Sequence, residues 1–169
     1  NDNIVAILLE PIQGEGGIII PDTDYLTKLR SICNTNNWLL MVDEVQSGFC
    51  RTGKWFGYQH SEIIPDVVTV AKALGNGVPV GACLTNKKAS TVLTPGSHGS
   101  TFGGNFLSTT VGLKVLDIMR DENLCKNART MGKYIEEQLR DKLSNLKIIK
   151  DIRVKGLMIG IELNTKCLE

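Results

Sequence analysis

Two apolar runs in the chain end on charged residues that could do chemistry. Residues 38–42 lead into Asp43, and residues 67–71 end on Lys72. A charge at the tip of a buried strand needs a partner, because an unpaired ion out of water is costly. A lysine amine can condense with an aldehyde, and a fixed aspartate can hold a pyridine nitrogen protonated, which together are the demands of pyridoxal phosphate chemistry. The alternative is a surface lysine and an N-cap aspartate at unrelated strand ends, and spacing alone does not decide between them.

The sequence predicts that parallel strands position Asp43 and Lys72. Three short continuous apolar runs, separated by helical patterns, predict strands covered on both faces. They are residues 4–9, 38–42 and 67–70. Ligands bind at the carboxyl ends of the strands in parallel α/β sheets, so Glu10, Asp43 and Lys72 are expected at one edge of the sheet.

The remainder of the chain predicts an α/β fold with a mostly parallel sheet and a second, smaller unit. Residues 80–84 predict a strand that returns antiparallel across the glycines at 75–77. Two helices, between 107 and 143, and two strands, at 146–152 and 157–163, are predicted to follow. We expect a large cofactor-binding domain over residues 1–143 and the start of a small C-terminal α+β domain over 144–169.

Composition narrows the classes of partner. Lysine and arginine number 19 against 18 aspartate and glutamate, so no basic field favours nucleic acid or a membrane surface. No apolar run approaches the roughly 18 residues of a membrane span. Five cysteines without a C-x-x-C pair predict reduced, buried thiols and a reducing compartment. Because the first residue is Asn1 and a strand is predicted almost at once, we expect the chain to be a piece of a longer protein.

Four sequence blocks carry a resemblance to a known family. They are EPIQGEGG at 10–17, VDEVQSG at 42–48 with RTG at 51–53, AKALG at 71–75, and GSHGSTFGGN at 96–105. In this order they resemble the class III pyridoxal-phosphate aminotransferases, in particular the acetylornithine and ornithine aminotransferase branch. The resemblance extends to residues 153–160 and implies fold type I of the pyridoxal-phosphate-dependent transferases.

The resemblance implies roles for five residues toward pyridoxal 5'-phosphate. Lys72 is similar to the lysine that bonds the cofactor aldehyde and then shuttles the substrate proton. Asp43 is similar to the partner of the pyridinium nitrogen, Val45 to the residue against the ring face, and Gln46 to the donor for the phenolic oxygen. Thr101 resembles the residue that reaches the cofactor phosphate from the other subunit, which implies a homodimer with a shared site.

Two further residues are implied at the substrate. Glu15 is similar to the glutamate that pairs with an arginine and lets one pocket accept both a basic donor and 2-oxoglutarate; the alternative is a turn residue in a glycine-rich loop. Ser100 would lie near cofactor or substrate.

His60 and His98 have no second ligand at metal spacing and are expected to be structural, so no metal site is predicted. We expect Glu44 to make a structural salt bridge.

The chain departs from the family pattern at three positions and lacks three of its features. Val154 and Phe106 replace a usual glycine and a usual proline, and Asn76 replaces a common glycine. The family's upstream phosphate-binding loop, its ring-stacking aromatic and its downstream carboxylate-binding arginine have no counterpart here. The chain alone is therefore expected to be incomplete as an enzyme.

The resemblance implies transfer of the δ-amino group of N-acetylornithine to 2-oxoglutarate, as in arginine biosynthesis. Ornithine, succinylornithine and 4-aminobutyrate remain alternative donors. A protein of another class, a non-catalytic fragment or paralogue acting through its dimer surface, also stays open. The expected location is the cytoplasm, or the mitochondrial matrix if the source is a eukaryote.

Overall fold

The computed structural model describes residues 3–164 and contains two sheets with helices packed around them. In chain order the elements are β1 Ala6–Leu9, α1 Tyr25–Asn36, β2 Leu39–Asp43, β3 Val67–Val70, β4 Ala82–Thr85, α2 Phe106–Asp121, α3 Leu124–Leu143, β5 Ile149–Lys155 and β6 Met158–Leu163. Short 3₁₀ turns lie at Gly57–Ser61 and Lys72–Leu74. This confirms the predicted α/β class.

The main sheet has the strand order β1-β2-β3-β4. The first three strands pair in parallel, and β4 returns antiparallel to β3, as the sequence predicted. The return passes through Asn76 at φ 45° and Gly77 at φ 111°, both left-handed. Asparagine and glycine adopt this conformation at little cost, so the departure at Asn76 is compatible with the turn.

Two apolar clusters form the core. One joins α1 to β2 and contains Leu26, Cys33, Leu40, Val42 and Ile63. The other joins β3 to α2 and contains Phe49, Cys50, Val68, Val70 and Met119. Continuous apolar strands such as β3 are typical of parallel sheets because neighbouring elements cover them. In contrast, every residue of β4 is exposed.

A buried aspartate, Asp66, ties the amino end of the sheet together. Its Oδ2 accepts hydrogen bonds from Leu40 N at 2.8 Å and Arg30 Nη1 at 2.7 Å, and its Oδ1 accepts from Asn86 Nδ2 at 2.7 Å. Burial alone would raise the pKa of Asp66, but the hydrogen bonds from Leu40, Arg30 and Asn86 outweigh it and lower the pKa below its ordinary value. One side chain thus joins α1, β2 and the end of β4.

The last two strands form an antiparallel hairpin of their own. Gly156 makes its turn at φ 58°, and a Cβ on Gly132 of α3 would lie 2.2 Å from Gly156 O, so helix and turn pack backbone to backbone. Val154 pairs with Ile159 inside the strands, where a β-branched residue fits. The domain division at 143/144 remains a prediction, and residues 165–169 lie outside the described part.

The cysteine prediction holds only in part. Cys33 and Cys50 are free and buried, but Cys83 is exposed on β4 and Cys125 is half-buried. The expectation of buried thiols was wrong for Cys83 because β4 has no described neighbour on its outer side. Cys167 lies outside the described residues. Across residues 3–164, none of the helices combines the length and apolarity that crossing a membrane requires.

Candidate functional site

The three predicted strand-end residues do lie at one edge of the sheet. β1 ends one residue before Glu10, β2 ends at Asp43, and β3 ends two residues before Lys72. These strands are parallel neighbours, so their carboxyl ends share an edge. The structure thereby places a carboxylate and an amine where α/β sheets bind ligands.

Asp43 is half-buried and only partly satisfied. Its Oδ1 accepts a hydrogen bond from Val45 N at 2.9 Å, which closes a tight turn at the end of β2. Within residues 3–164, its Oδ2 has no hydrogen-bond donor and neither oxygen has an ion-pair partner. The turn therefore fixes the carboxylate and leaves one oxygen available to a ligand.

Lys72 is exposed and stands in a strained backbone conformation. It begins a 3₁₀ turn with φ 39°, and its carbonyl accepts hydrogen bonds from Gly75 N and Asn76 N, both at 3.1 Å. A left-handed lysine costs about 1–3 kcal/mol, and such strain persists only where the surroundings enforce it. In the described part of the chain its amine makes neither a hydrogen bond nor an ion pair. The turn holds the lysine at the strand end with its amine unpaired.

Glu44 is fully buried and holds the turn beside Asp43. Its Oε2 accepts from Ser47 Oγ at 2.7 Å and Gly57 N at 2.9 Å, and its Oε1 accepts from Tyr58 N at 2.8 Å. Burial raises the pKa of Glu44 above its ordinary value, although these hydrogen bonds oppose the shift. The predicted salt bridge is wrong, because hydrogen bonds from neutral groups hold this carboxyl.

Glu15 lies on a turn that we call the glutamate loop, residues 13–19. The loop is closed by paired hydrogen bonds between Gln13 and Ile19 at 3.0 and 3.1 Å. Gln46 Nε2 donates to Glu15 Oε1 at 3.4 Å, so two of the predicted site residues are in contact. A Cβ on Gly14 would lie 2.1 Å from Gln46 Oε1, which means that this glycine makes room for the amide.

Ser100 and Thr101 belong to an exposed stretch that the described residues leave uncovered. Ser100 and His98 line a surface cavity of about 460 Å³, whereas Thr101 is not among its lining residues. Phe102 and Phe106, which follow these residues in the chain, are 82% and 93% exposed. Within residues 3–164, no hydrogen bond joins Ser100 or Thr101 to the strand-end residues.

His60 is structural in this arrangement. Its Nε2 lies 3.0 Å from Thr52 Oγ1. Burial, with help from Lys155 and Lys54, lowers the pKa of His60 to about 4, so the ring is neutral near pH 7. Among the described residues no group of three or more histidine, cysteine, aspartate or glutamate side chains could hold a metal ion.

The sequence placed Glu10 at the ligand-binding edge without a specific role and did not connect Arg153 with the glutamate loop. Glu10 Oε2 accepts from Gly14 N at 2.9 Å and so braces the glutamate loop from the sheet. Arg153 Nη2 donates to Gly17 O at 2.8 Å from the other side. The four-residue spacing from Glu10 to Gly14 was a readable signal, whereas nothing in the sequence links Arg153 to a loop 136 residues away.

Comparison with known proteins agrees with this geometry. A family model for class III aminotransferases matches residues 1–168. An acetylornithine aminotransferase from Nitrosomonas europaea is 53% identical over 169 residues, which is 100% of this chain and 43% of that protein. An ornithine aminotransferase from Oceanobacillus iheyensis is 48% identical, over 95% of this chain and 40% of its own length.

Solved structures share the fold. An ornithine aminotransferase from Toxoplasma gondii, described with partial occupancy of PLP at its active site, has a TM-score of 0.94 at 40% identity, covering 97% of this chain and 39% of that one. An acetylornithine aminotransferase from Elizabethkingia anophelis has a TM-score of 0.92 at 39% identity, covering 96% and 41%.

The fold is that of solved ornithine and acetylornithine aminotransferases. More narrowly, the chain belongs to the class III aminotransferase family. It spans about two fifths of the length of the curated relatives it matches.

Proposed function

We propose that the whole protein is an aminotransferase that moves the δ-amino group of N-acetylornithine to 2-oxoglutarate. The observation that carries the proposal is the pair of unpaired groups at adjacent strand ends, the Asp43 carboxylate and the Lys72 amine. The names of the relatives support the choice of donor, since proteins called acetylornithine aminotransferase are 45–53% identical to this chain.

The residues present fit pyridoxal 5'-phosphate. Asp43 keeps one oxygen available for a pyridinium N–H, and Lys72 keeps an amine available for an aldehyde. Val45 offers an apolar side chain for the ring face, and Gln46 offers an amide for the phenolic oxygen. When bound, the cofactor supplies the aldehyde and the electron sink that amino transfer needs.

The chain's own side chains then have distinct tasks. Lys72 would hold the cofactor through its amine, and the same amine, once the donor displaces it, would carry the proton away from the donor's δ carbon. Asp43 would keep the ring nitrogen protonated. Glu15, held by Gln46, would admit the basic donor and would withdraw from 2-oxoglutarate by pairing with an arginine.

We propose a homodimer in which Thr101 reaches the cofactor phosphate of the partner subunit, with Ser100 near cofactor or substrate. The exposure of Phe102 and Phe106 supports an interface here, because large apolar patches are usually covered.

The free thiols of Cys33 and Cys50 support a reducing compartment, the cytoplasm or, in a eukaryote, the mitochondrial matrix.

Ornithine is the second candidate donor, since a relative called ornithine aminotransferase is 48% identical. Succinylornithine and 4-aminobutyrate use the same chemistry. A non-catalytic fragment acting through its exposed surface is the candidate from another class, and the unpaired Lys72 argues against it.

The test is an absorbance titration of the whole protein with pyridoxal phosphate, followed by separate additions of N-acetylornithine and ornithine. The proposal expects a visible band that borohydride fixes on Lys72 and that N-acetylornithine bleaches at far lower concentration than ornithine. Lys72→Ala should lose the band, and Lys114→Ala, at an exposed position of α2, should keep it. Preferential bleaching by ornithine would move the substrate assignment, and absence of the band would reject the enzyme.

A further inference from the structure

The glutamate loop holds one residue in a conformation that it would not adopt by itself. Ile18 has φ 54°, in the left-handed region. For a β-branched side chain this is a genuine outlier that costs about 1–3 kcal/mol. Local hydrogen bonds, such as Ile18 N to Gly14 O at 3.2 Å, contribute to the turn but do not remove this strain. Some other contact must keep the loop from relaxing.

Arg153 on β5 supplies that contact. Its Nη2 donates to Gly17 O at 2.8 Å and its Nε donates to Ile18 O at 3.2 Å, so the guanidinium spans the two carbonyls around the strained residue. The hairpin can approach the loop this closely because Gly160 has no Cβ. A Cβ at this position would lie only 3.1 Å from Gly17 O. A planar fork suits two neighbouring acceptors in a way that a lysine ammonium does not.

The hairpin in turn orients the guanidinium. Arg153 Nη1 donates to Asp151 Oδ2 at 2.7 Å and to Glu162 Oε2 at 2.6 Å, and the arginine side chain is only 18% exposed. The two carboxylates neutralise the positive charge of Arg153. Arg153 therefore acts as an anchor for the loop rather than as a ligand for a substrate carboxylate.

The anchored loop carries Glu15. On the sheet side Glu10 braces Gly14 N, and Gln46 contacts the Glu15 carboxylate. On the hairpin side Arg153 fixes the two carbonyls at Gly17 and Ile18. Within the described residues Arg153 makes neither a hydrogen bond nor an ion pair with Glu15, so its hydrogen bonds reach the carboxylate only through the loop backbone.

We infer that Arg153 is a positioning residue for Glu15 and thereby sets the selectivity between the basic amino donor and 2-oxoglutarate. The inference rests on the proposed function. A carboxylate displaced by about 1 Å can cost as much as a hundredfold in a productive complex. The selectivity of the pocket therefore depends on a residue that touches neither the substrate nor the cofactor.

The first test is kinetic and uses the whole protein with cofactor. In Arg153→Met, kcat/KM for the donor relative to kcat/KM for 2-oxoglutarate should change about tenfold, in the same direction as in Glu15→Ala, while the cofactor absorbance is retained. Because both act through one carboxylate, Glu15→Ala/Arg153→Met should show no further change. Lys150→Met, which breaks a neighbouring ion pair to Glu162 without touching the loop, should leave the ratio unchanged. If Arg153→Met does not fold, Arg153→Lys, which keeps the charge, takes its place.

The second test does not depend on activity. Amide hydrogen exchange over residues 13–19 in the cofactor-free protein should accelerate at least tenfold in Arg153→Met and not in Lys150→Met. Ile18→Gly, which removes the strain, should restore the kinetic ratio in the Arg153 variant better than Ile18→Ala, which keeps a Cβ.

The outcomes separate the two claims. Faster exchange with an unchanged ratio would overturn the inference and leave Arg153 a purely structural anchor, and unchanged exchange would also overturn it. A wild-type protein with no amino transfer would reject the proposed function, and with it a selectivity role, while the exchange experiment would still report whether Arg153 anchors the loop.

Discussion

Two aspartates at opposite ends of the same sheet differ in how completely the protein satisfies them. Asp66, at the amino end, is 6% exposed and accepts three hydrogen bonds from three different elements. Asp43, at the carboxyl end, accepts a single hydrogen bond from the backbone two residues away. Both are acidic residues at strand ends, so their type alone does not distinguish them.

The difference separates a carboxylate that stabilises the fold from one that is available to a ligand. A buried carboxylate with all its partners inside the chain stabilises the fold and has nothing left for a ligand. A half-buried carboxylate with one free oxygen contributes little to folding stability. Its charge remains available to a cofactor, as does the unpaired lysine at the next strand end. We therefore expect substitutions at the two ends to separate stability from activity.

Asp43→Asn should give the largest effect and leave the fold nearly intact. Loss of the charge opposite the ring nitrogen should lower kcat about a hundredfold or more, in the range seen when one electrostatic contact is removed from an active site. The asparagine amide oxygen can still accept from Val45 N, so the melting temperature of the cofactor-free protein should change little.

Steady-state kinetics and thermal unfolding of the whole protein check this prediction. Asp141→Asn, on an exposed position of α3, is the matched control and should alter neither quantity. A large fall in melting temperature with retained kcat would reverse the comparison.

Asp66→Asn should show the opposite profile. Removing the charge leaves the partly buried Arg30 without its ion-pair partner, and we expect a loss of about 2–4 kcal/mol in the free energy of unfolding. Because the pKa of Asp66 is lowered in the folded protein, its stabilisation is present above the ordinary value of 3.8 and is lost as the pH falls through the folded-state pKa.

Denaturant unfolding at pH 7 and at about pH 3 measures both parts. The variant should be less stable than the wild type at pH 7, and the gap should narrow in acid. Equal gaps at both pH values would mean that the charge of Asp66 does not matter. The kcat of the folded variant should remain near that of the wild type.

Glu44→Ala sharpens the comparison because Glu44 adjoins Asp43 yet is satisfied like Asp66. The change leaves Gly57 N and Tyr58 N without their acceptor, which should cost about 2 kcal/mol in stability. Glu62→Ala, an exposed carboxylate in the same segment, should cost less than about 0.5 kcal/mol. Equal losses in the two variants, measured by thermal unfolding, would show that burial of Glu44 contributes nothing.

Sequence patterns were sufficient for the strands and for the edge at which their ends meet. Continuous apolar runs predicted β1, β2 and β3, because a strand covered by its neighbours cannot alternate polar residues, and parallel pairing then placed Glu10, Asp43 and Lys72 at one edge. The motif order was sufficient for the family. Both kinds of information are local in the sequence.

What could not be predicted depends on contacts between distant segments. The strain at Ile18 and its anchor at Arg153 are joined only by folding, and the residues between them give no pattern that pairs the two. Glu44 was misjudged because two of its three hydrogen-bond donors are backbone amides, which no sequence motif marks. The exposure of Cys83 reflects a sheet edge, which depends on what lies beside β4 rather than on β4 itself.

The smallest expected effect lies outside both strand ends, at His60. Burial lowers the pKa of His60 to about 4, below the ordinary value of 6.5, so the unfolded chain binds a proton that the folded one does not between these pH values. Stability should thus be fully present above pH 6.5 and fall as the pH drops toward 4, by about 1 kcal/mol after allowing for the partial exposure of the ring. His60→Asn should flatten this slope in denaturant unfolding, whereas His98→Asn, in the exposed stretch, should keep it. If the slope survives in His60→Asn, other groups cause it, and the neutral ring against Thr52 is not what couples this part of the fold to pH.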